Sequence, residues 1–111
     1  MDVCETKDGI LVVHHDHDLQ RTCGQKAQIK DFDYKDLPKF KEEIELDFAY
    51  KGITVRSKGE KIPTLEEVFQ KFPKTLMNIE LKTPTPRAIK SFVTLINSHN
   101  RRHNTIVGIR G

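Results

Sequence analysis

The sequence predicts an α/β fold, and three observations carry that prediction. From residue 64 onward, stretches with helical spacing alternate with short β-branched stretches in the order helix, strand, helix, strand. Such alternation implies parallel strands joined by helical crossovers. Ahead of it, two strand-like runs flank Lys7-Asp8-Gly9, which marks a hairpin because Asp-Gly supplies a residue tolerant of positive φ. Between these regions, residues 16 to 62 are polar and interrupted by Gly24, Pro38, Gly52 and Gly59. A doubly wound sheet and a TIM barrel both satisfy this order.

Taken along the chain, Met1 to Thr6 reads as a first strand and Ile10 to His15 as a second, apolar and β-branched. The polar stretch that follows scatters its apolar residues (Ile29, Phe32, Tyr34, Leu37, Phe40, Leu46 and Phe48) without a period. It reads as an irregular excursion with one short helical turn near Lys35 to Leu37. A helix starts at Thr64, with Glu67 three residues on to complete a capping box. Leu65, Val68, Phe69 and Phe72 give it helical spacing, and Pro73 ends it. Leu76 to Lys82 is a third strand. Thr83-Pro84-Thr85-Pro86 leads into a second helix, with Thr85 as cap, Pro86 at its first position and Ile89, Phe92, Val93 and Ile96 as its apolar face. Residues 105 to 109 form the last strand. The chain opens on a strand and stops two residues after another, so both ends look cut.

Composition bounds the function. At 111 residues the chain holds one domain at most, and with 36% hydrophobic and 32% charged residues its core is thin. The net charge of +3 is spread, with Lys and Arg interleaved among 16 acids. A nucleic-acid surface needs clustered positive charge, so no such partner is expected. Cys4 and Cys23 are too few for a disulfide framework and lack CxxC spacing for zinc. The longest apolar run, Ile10 to Val13, falls far short of the ~20 residues of a membrane span, and there is no secretory signal sequence.

Three groups of residues bear chemistry. On the strand from Met77 to Lys82, alternation puts Asn78, Glu80 and Lys82 on one face and Met77, Ile79 and Leu81 on the other. The acid and the base then stand near the strand's C-terminal end, where α/β folds place their sites; a solvated ion pair is the competing reading. Asp2 shares a face with Cys4, opposite Val3. A carboxylate there is either a hard ligand for Mg²⁺ or Ca²⁺ or an exposed acid near a chain end. The third group is His14-His15-Asp16-His17-Asp18. Adjacent strand residues diverge, so a transition-metal cluster is a poor fit. One catalytic histidine with an orienting acid fits better. His14 and His17 read as solvated or structural, and His99 and His103 as surface residues.

In order, these segments resemble the glycerophosphodiester phosphodiesterase family. Asp2-Val3, Thr6-Lys7-Asp8-Gly9, Val12-Val13, His15-Asp16, Leu19 and Arg21-Thr22 look like its signature hairpin. Ile62-Pro63-Thr64-Leu65-Glu66-Glu67-Val68 and Asn78-Ile79-Glu80-Leu81-Lys82 look like its helix and strand motifs. The resemblance implies an incomplete TIM (β/α)8 barrel of the phospholipase-C-like phosphodiesterase type. Residues 1–111 would be a partial domain, with 17–61 inserted after the hairpin and the first strand and C-terminal half of the barrel missing. It implies a divalent metal, Mg²⁺ or Ca²⁺, on Asp2 and Glu80. His15 matches the family's histidine in this hairpin, and Lys82 its lysine near the phosphate. A second family histidine, in a His-Arg pair, and the Glu of a Glu-x-Asp motif have no counterpart here.

The implied reaction is hydrolysis of a glycerophosphodiester or lysophospholipid to a phosphomonoester and an alcohol, the second substrate through a resemblance to the eukaryotic lysophospholipase D-like subgroup. The implied partner is a phospholipid-derived phosphodiester, with any membrane association carried by segments outside these residues. Two other readings stand beside it. One is a truncated, catalytically inactive fragment; the other is a sphingomyelinase-D-like or phospholipase-C-like lyase, which would release a cyclic phosphate.

Overall fold

The computed structural model describes residues 1–16, 18–45, 54–56, 58–82 and 84–109. The hairpin is present: β1 (Asp2–Glu5) pairs antiparallel with β2 (Leu11–Val13), Val3 opposite Val13 and Glu5 opposite Leu11. Its turn closes on Gly9, whose φ is +87° and whose N–H donates to the Thr6 carbonyl at 3.0 Å. A Cβ at Gly9 would also come within 3.0 Å of the Arg87 guanidinium, so both dihedral and space require glycine. The second strand stops at Val13, short of the predicted His15. The His14 N–H still reaches the Asp2 carbonyl, but the His14 ring turns inward to two side partners and draws the chain out of the ladder.

The polar stretch is more ordered than predicted. β3 (Asp18–Leu19) pairs with β4 (Gln25–Gln28) around the four-residue helix α1 (Gln20–Cys23), which ends on Gly24 at φ +76°. Two 3-10 turns follow, Ile29–Asp31 and Tyr34–Asp36, the latter close to the expected helical turn. β5 (Glu43–Glu45) and β6 (Thr54–Arg56) form another antiparallel pair. Leu46 and Phe48 lie outside the described residues. The other apolar residues showed no period because they are spread over two short 3-10 turns (Ile29 and Tyr34) and the irregular chain around them (Phe32, Leu37 and Phe40).

The second half follows its sequence signals closely. Helix α2 (Leu65–Lys71) carries the complete capping box, with the Thr64 hydroxyl accepting from the Glu67 N–H and the Glu67 carboxylate accepting from the Thr64 N–H. β7 (Met77–Leu81) is followed by α3 (Pro86–Ser98), capped by Thr85 with Pro86 in its first turn, and then by β8 (Thr105–Ile109). The main sheet runs β2-β1-β7-β8, with β1, β7 and β8 mutually parallel.

Each face of this sheet has its own core. Val3, Met77, Ile79 and Leu81 pack against Leu65 and Phe69 of α2 and Ala88 and Phe92 of α3. On the other face, Cys4 and Val12 pack with Leu19, Ile29, Leu37 and Ile62. The inserted stretch therefore covers the end of the sheet face that carries Asp2. One detail corrects the expected apolar stripe of α3: Ala88, Phe92, Leu95 and Ile96 face the core, while Ile89 and Val93 are 38% and 51% exposed. Glu5 explains the rotation. Its buried carboxylate accepts from the Thr85 hydroxyl and the Arg87 guanidinium, which sets the first turn of α3 and brings small Ala88 against the sheet.

Candidate active site

Parallel pairing of β1 with β7 sets Asp2 directly opposite Glu80, and Val3 opposite Leu81. Directly paired residues lie on the same sheet face, so the two carboxylates share the face away from α2 and α3. Both are partly buried. The next strand continues the row, for Glu80 is paired with Gly108. A side chain at Gly108 would put its Cβ 3.3 Å from the Glu80 Cγ; glycine leaves that space open.

Lys82 follows β7 and holds the same face. Its ammonium lies 3.9 Å from the Asp2 carboxylate and donates to the His15 carbonyl. The His15 Nε2 comes within 3.8 Å of the same Asp2 oxygen from the other side, with the imidazole largely exposed. Asp2 is thus flanked by an ammonium and an imidazole. Asp2, His15, Glu80 and Lys82, spread over most of the sequence, gather where the C-terminal end of β7 lies beside the start of β1.

The histidine cluster divides its labour. His14 is buried, with Nδ1 2.6 Å from the Asp16 carbonyl and Nε2 2.7 Å from the Thr22 hydroxyl. Burial lowers its pKa despite the nearby Asp16 carbonyl, which suits a neutral structural imidazole. His15 instead extends over the site. Asp16 lies beneath it, 2.8 Å from Nδ1, and is gripped by Arg21 through Nε at 2.9 Å and Nη2 at 3.1 Å. Burial alone would raise the Asp16 carboxyl, but hydrogen bonds from Arg21 and His15 and the Arg21 charge outweigh it and hold it at about 2. His17 lies outside the described residues. His103 is exposed as expected, whereas His99 is half-buried, edge-on to Phe69 and 3.3 Å from Glu66. Cys4, beneath Asp2 on the same face, is buried and its thiol is raised to about 11, which makes it a packing residue and a poor nucleophile.

Sequence reasoning located Asp16 and Arg21 only as members of a motif. Their ion pair was foreshadowed by nothing but a five-residue separation across an unrecognised strand and helix turn. Gly108 had no local signal at all, since its importance comes from the register of β8.

Two opposed carboxylates supply hard oxygen donors, and that donor chemistry fits a hard divalent cation which completes its coordination with water and phosphate. Among the described residues no cluster of three or more His, Cys, Asp or Glu side chains is arranged to hold a metal.

Comparison with known proteins agrees with the geometry. Residues 1–110 match the glycerophosphoryl diester phosphodiesterase family. The chain is 36% identical to the human lysophospholipase D GDPD1 over 103 residues, which is 93% of this chain and 32% of that protein. It is 32% identical to a glycerophosphodiester phosphodiesterase of Caldanaerobacter subterraneus, covering 96% of this chain and 43% of that one. The crystal structure of the glycerophosphodiester phosphodiesterase from Agrobacterium tumefaciens superimposes with a TM-score of 0.77 at 21% identity, over all of this chain and 44% of its own. With residues 1–110 matched, this α/β chain belongs to the glycerophosphoryl diester phosphodiesterase family. The chain spans about a third of the length of the lysophospholipase D relatives it matches.

Proposed function

We propose that this chain forms one wall of the active site of a phosphoric diester hydrolase. Its substrates would be glycerophosphodiesters or lysophospholipids, and its products a phosphomonoester and an alcohol. The single observation that carries this reading is the convergence of Asp2, Glu80, Lys82 and His15 where the C-terminal end of β7 lies beside the start of β1, in a chain of this family. The main sheet, parallel except for the hairpin strand β2, is read as an arc of a TIM barrel. The lysophospholipid choice rests on the relatives named lysophospholipase D.

In this reading Asp2 and Glu80 would hold a divalent cation, Mg²⁺ or Ca²⁺, both of which take hard carboxylate oxygens. That cation, when bound, supplies Lewis-acid charge to a phosphate oxygen. Lys82 adds a fixed positive charge where negative charge grows on the phosphoryl group. His15, exposed above this face, is placed to donate a proton to the leaving alcohol oxygen as its bond to phosphorus breaks. Water supplies the new oxygen on phosphorus, so one P–O bond forms and one breaks. The proton that the water gives up as it bonds to phosphorus balances the one that His15 delivers to the alcohol, so the net change is one water consumed per diester cleaved.

The test is a phosphodiesterase assay on the 111-residue chain and on a full-length relative carrying this segment in place of its own, with Mg²⁺ and then Ca²⁺. Turnover in the full-length protein, lost in both His15→Ala and Glu80→Ala, is the expected outcome. Near-normal turnover in either variant would overturn the assignment. A cyclic phosphate in place of an open monoester would transfer the site to a lyase.

A further inference from the structure

We propose that Asp16, clamped by Arg21, is a positioning residue that fixes the tautomer and direction of His15, so that Nε2 faces the Asp2–Lys82 end of the site. This rests on the functional reading above and specifies how its histidine is held. The argument starts from an exposed side chain. The His15 imidazole is 64% exposed, and an exposed ring on a loop samples several rotamers and both neutral tautomers. Here one ring nitrogen is tied. Nδ1 lies 2.8 Å from Asp16 Oδ1, and an ionised carboxylate can only accept, so Nδ1 carries the hydrogen. Nε2 is then left with its lone pair, or with the mobile proton, on the side facing Asp2.

Asp16 could not hold the ring if it were itself mobile. Arg21 prevents that by donating from Nε to Oδ2 and from Nη2 to Oδ1, a two-pronged grip that fixes the carboxylate plane. The backbone of Asp16 is held separately, its carbonyl meeting the His14 ring, which is braced in turn by Thr22. The guanidinium also keeps Asp16 ionised, so Asp16 orients the imidazole and does not take its proton.

The tautomer can be read without turnover. In ¹⁵N-labelled 111-residue chain at about pH 8.5, where an ordinary imidazole is neutral, long-range ¹H–¹⁵N spectra distinguish Nδ1–H from Nε2–H rings. The wild-type His15 ring is expected in the Nδ1–H form. Asp16→Asn and Asp16→Ala are each expected to move it to the Nε2–H form that free imidazole favours, and Arg21→Gln to give a mixture. A wild-type ring in the Nε2–H form would overturn the proposal on its own, whatever the variants do. So would an Nδ1–H ring that persists in a folded Asp16 variant. In a full-length relative carrying this segment, Asp16→Asn is expected to lower kcat about 100-fold or more with little change in KM, as loss of the correct tautomer does elsewhere. A correct wild-type tautomer in a full-length protein that does not turn over phosphodiesters would instead overturn the functional reading and leave the positioning role standing.

Discussion

Gly108 lies beside Glu80 in the parallel pairing of β7 and β8, and a Cβ there would sit 3.3 Å from the Glu80 Cγ. That spacing is tighter than an ordinary contact, so the carboxylate must give way. Gly108→Ala should leave the fold intact, with stability changed by less than ~0.5 kcal/mol as for most edge substitutions. It should still lower kcat/KM about tenfold in a full-length protein carrying this segment, because sub-ångström misplacement of a reacting group is costly. Urea melts paired with steady-state kinetics would show whether the two effects separate.

Asp16 predicts a pH dependence. Its carboxyl is held at about 2, against an ordinary 3.8. A depressed folded-state value means that the group stabilises the fold above 3.8 and that this contribution disappears as pH falls toward 2. Asp16→Asn should therefore be less stable than wild type near neutrality, with the gap closing on acidification through that window. Thermal melts at stepped pH would record this, and a constant gap down to pH 2 would contradict it.

The two sides of α3 should respond oppositely to substitution. Ile89→Lys and Val93→Lys fall on exposed positions and should change stability by less than ~0.5 kcal/mol. Phe92→Ala opens a cavity in the core beneath the sheet and should cost about 3–5 kcal/mol. Comparable losses for Val93 and Phe92 would restore the stripe expected from spacing alone.

Arg101 is buried and makes most of its hydrogen bonds with main chain, Nε alone donating to the Thr105 hydroxyl at 3.3 Å. Its guanidinium donates to the carbonyls of Phe72, Pro73, Thr75 and Asn104 and lies 4.8 Å over the Phe69 ring. It ties the end of α2 to the approach to β8. Arg101→Ala would leave those carbonyls without a partner and should cost about 3–5 kcal/mol, the range for breaking a buried charged network. Arg101→Lys should recover only part, because one ammonium cannot span all of these acceptors. Denaturant midpoints of the two variants give the comparison.

The sequence made some of this legible and hid the rest for physical reasons. Capping by Thr64 and Thr85, the Gly9 turn and the alternation through Glu80 and Lys82 are local effects, written in neighbouring residues. The excursion was read as irregular because its strands are two to four residues long and none repeats a period. The face of α3 was misjudged because Ile89 and Val93 are as apolar as Leu95, and the deciding contact, Glu5 with Thr85 and Arg87, spans most of the chain. The candidate site residues were singled out by motif, yet that Asp2 opposes Glu80 is a matter of register, which neither segment declares alone.

The β1–β7 pairing also bears on how such a chain can vary. The residues that meet at the site are separated by the whole excursion and α2, so closing the site is an entropic matter of loop length. That cost rises only about 0.6 kcal/mol for each doubling of the loop. The stretch that packs on Cys4 and Val12 is constrained by its core. A change of length within the excursion that spares this core would cost little by that measure and leave the register of Asp2 and Glu80 untouched. On the reading proposed above, the pairing of β1 with β7 would set the floor of the site, and the length of the chain between them could vary without rebuilding it.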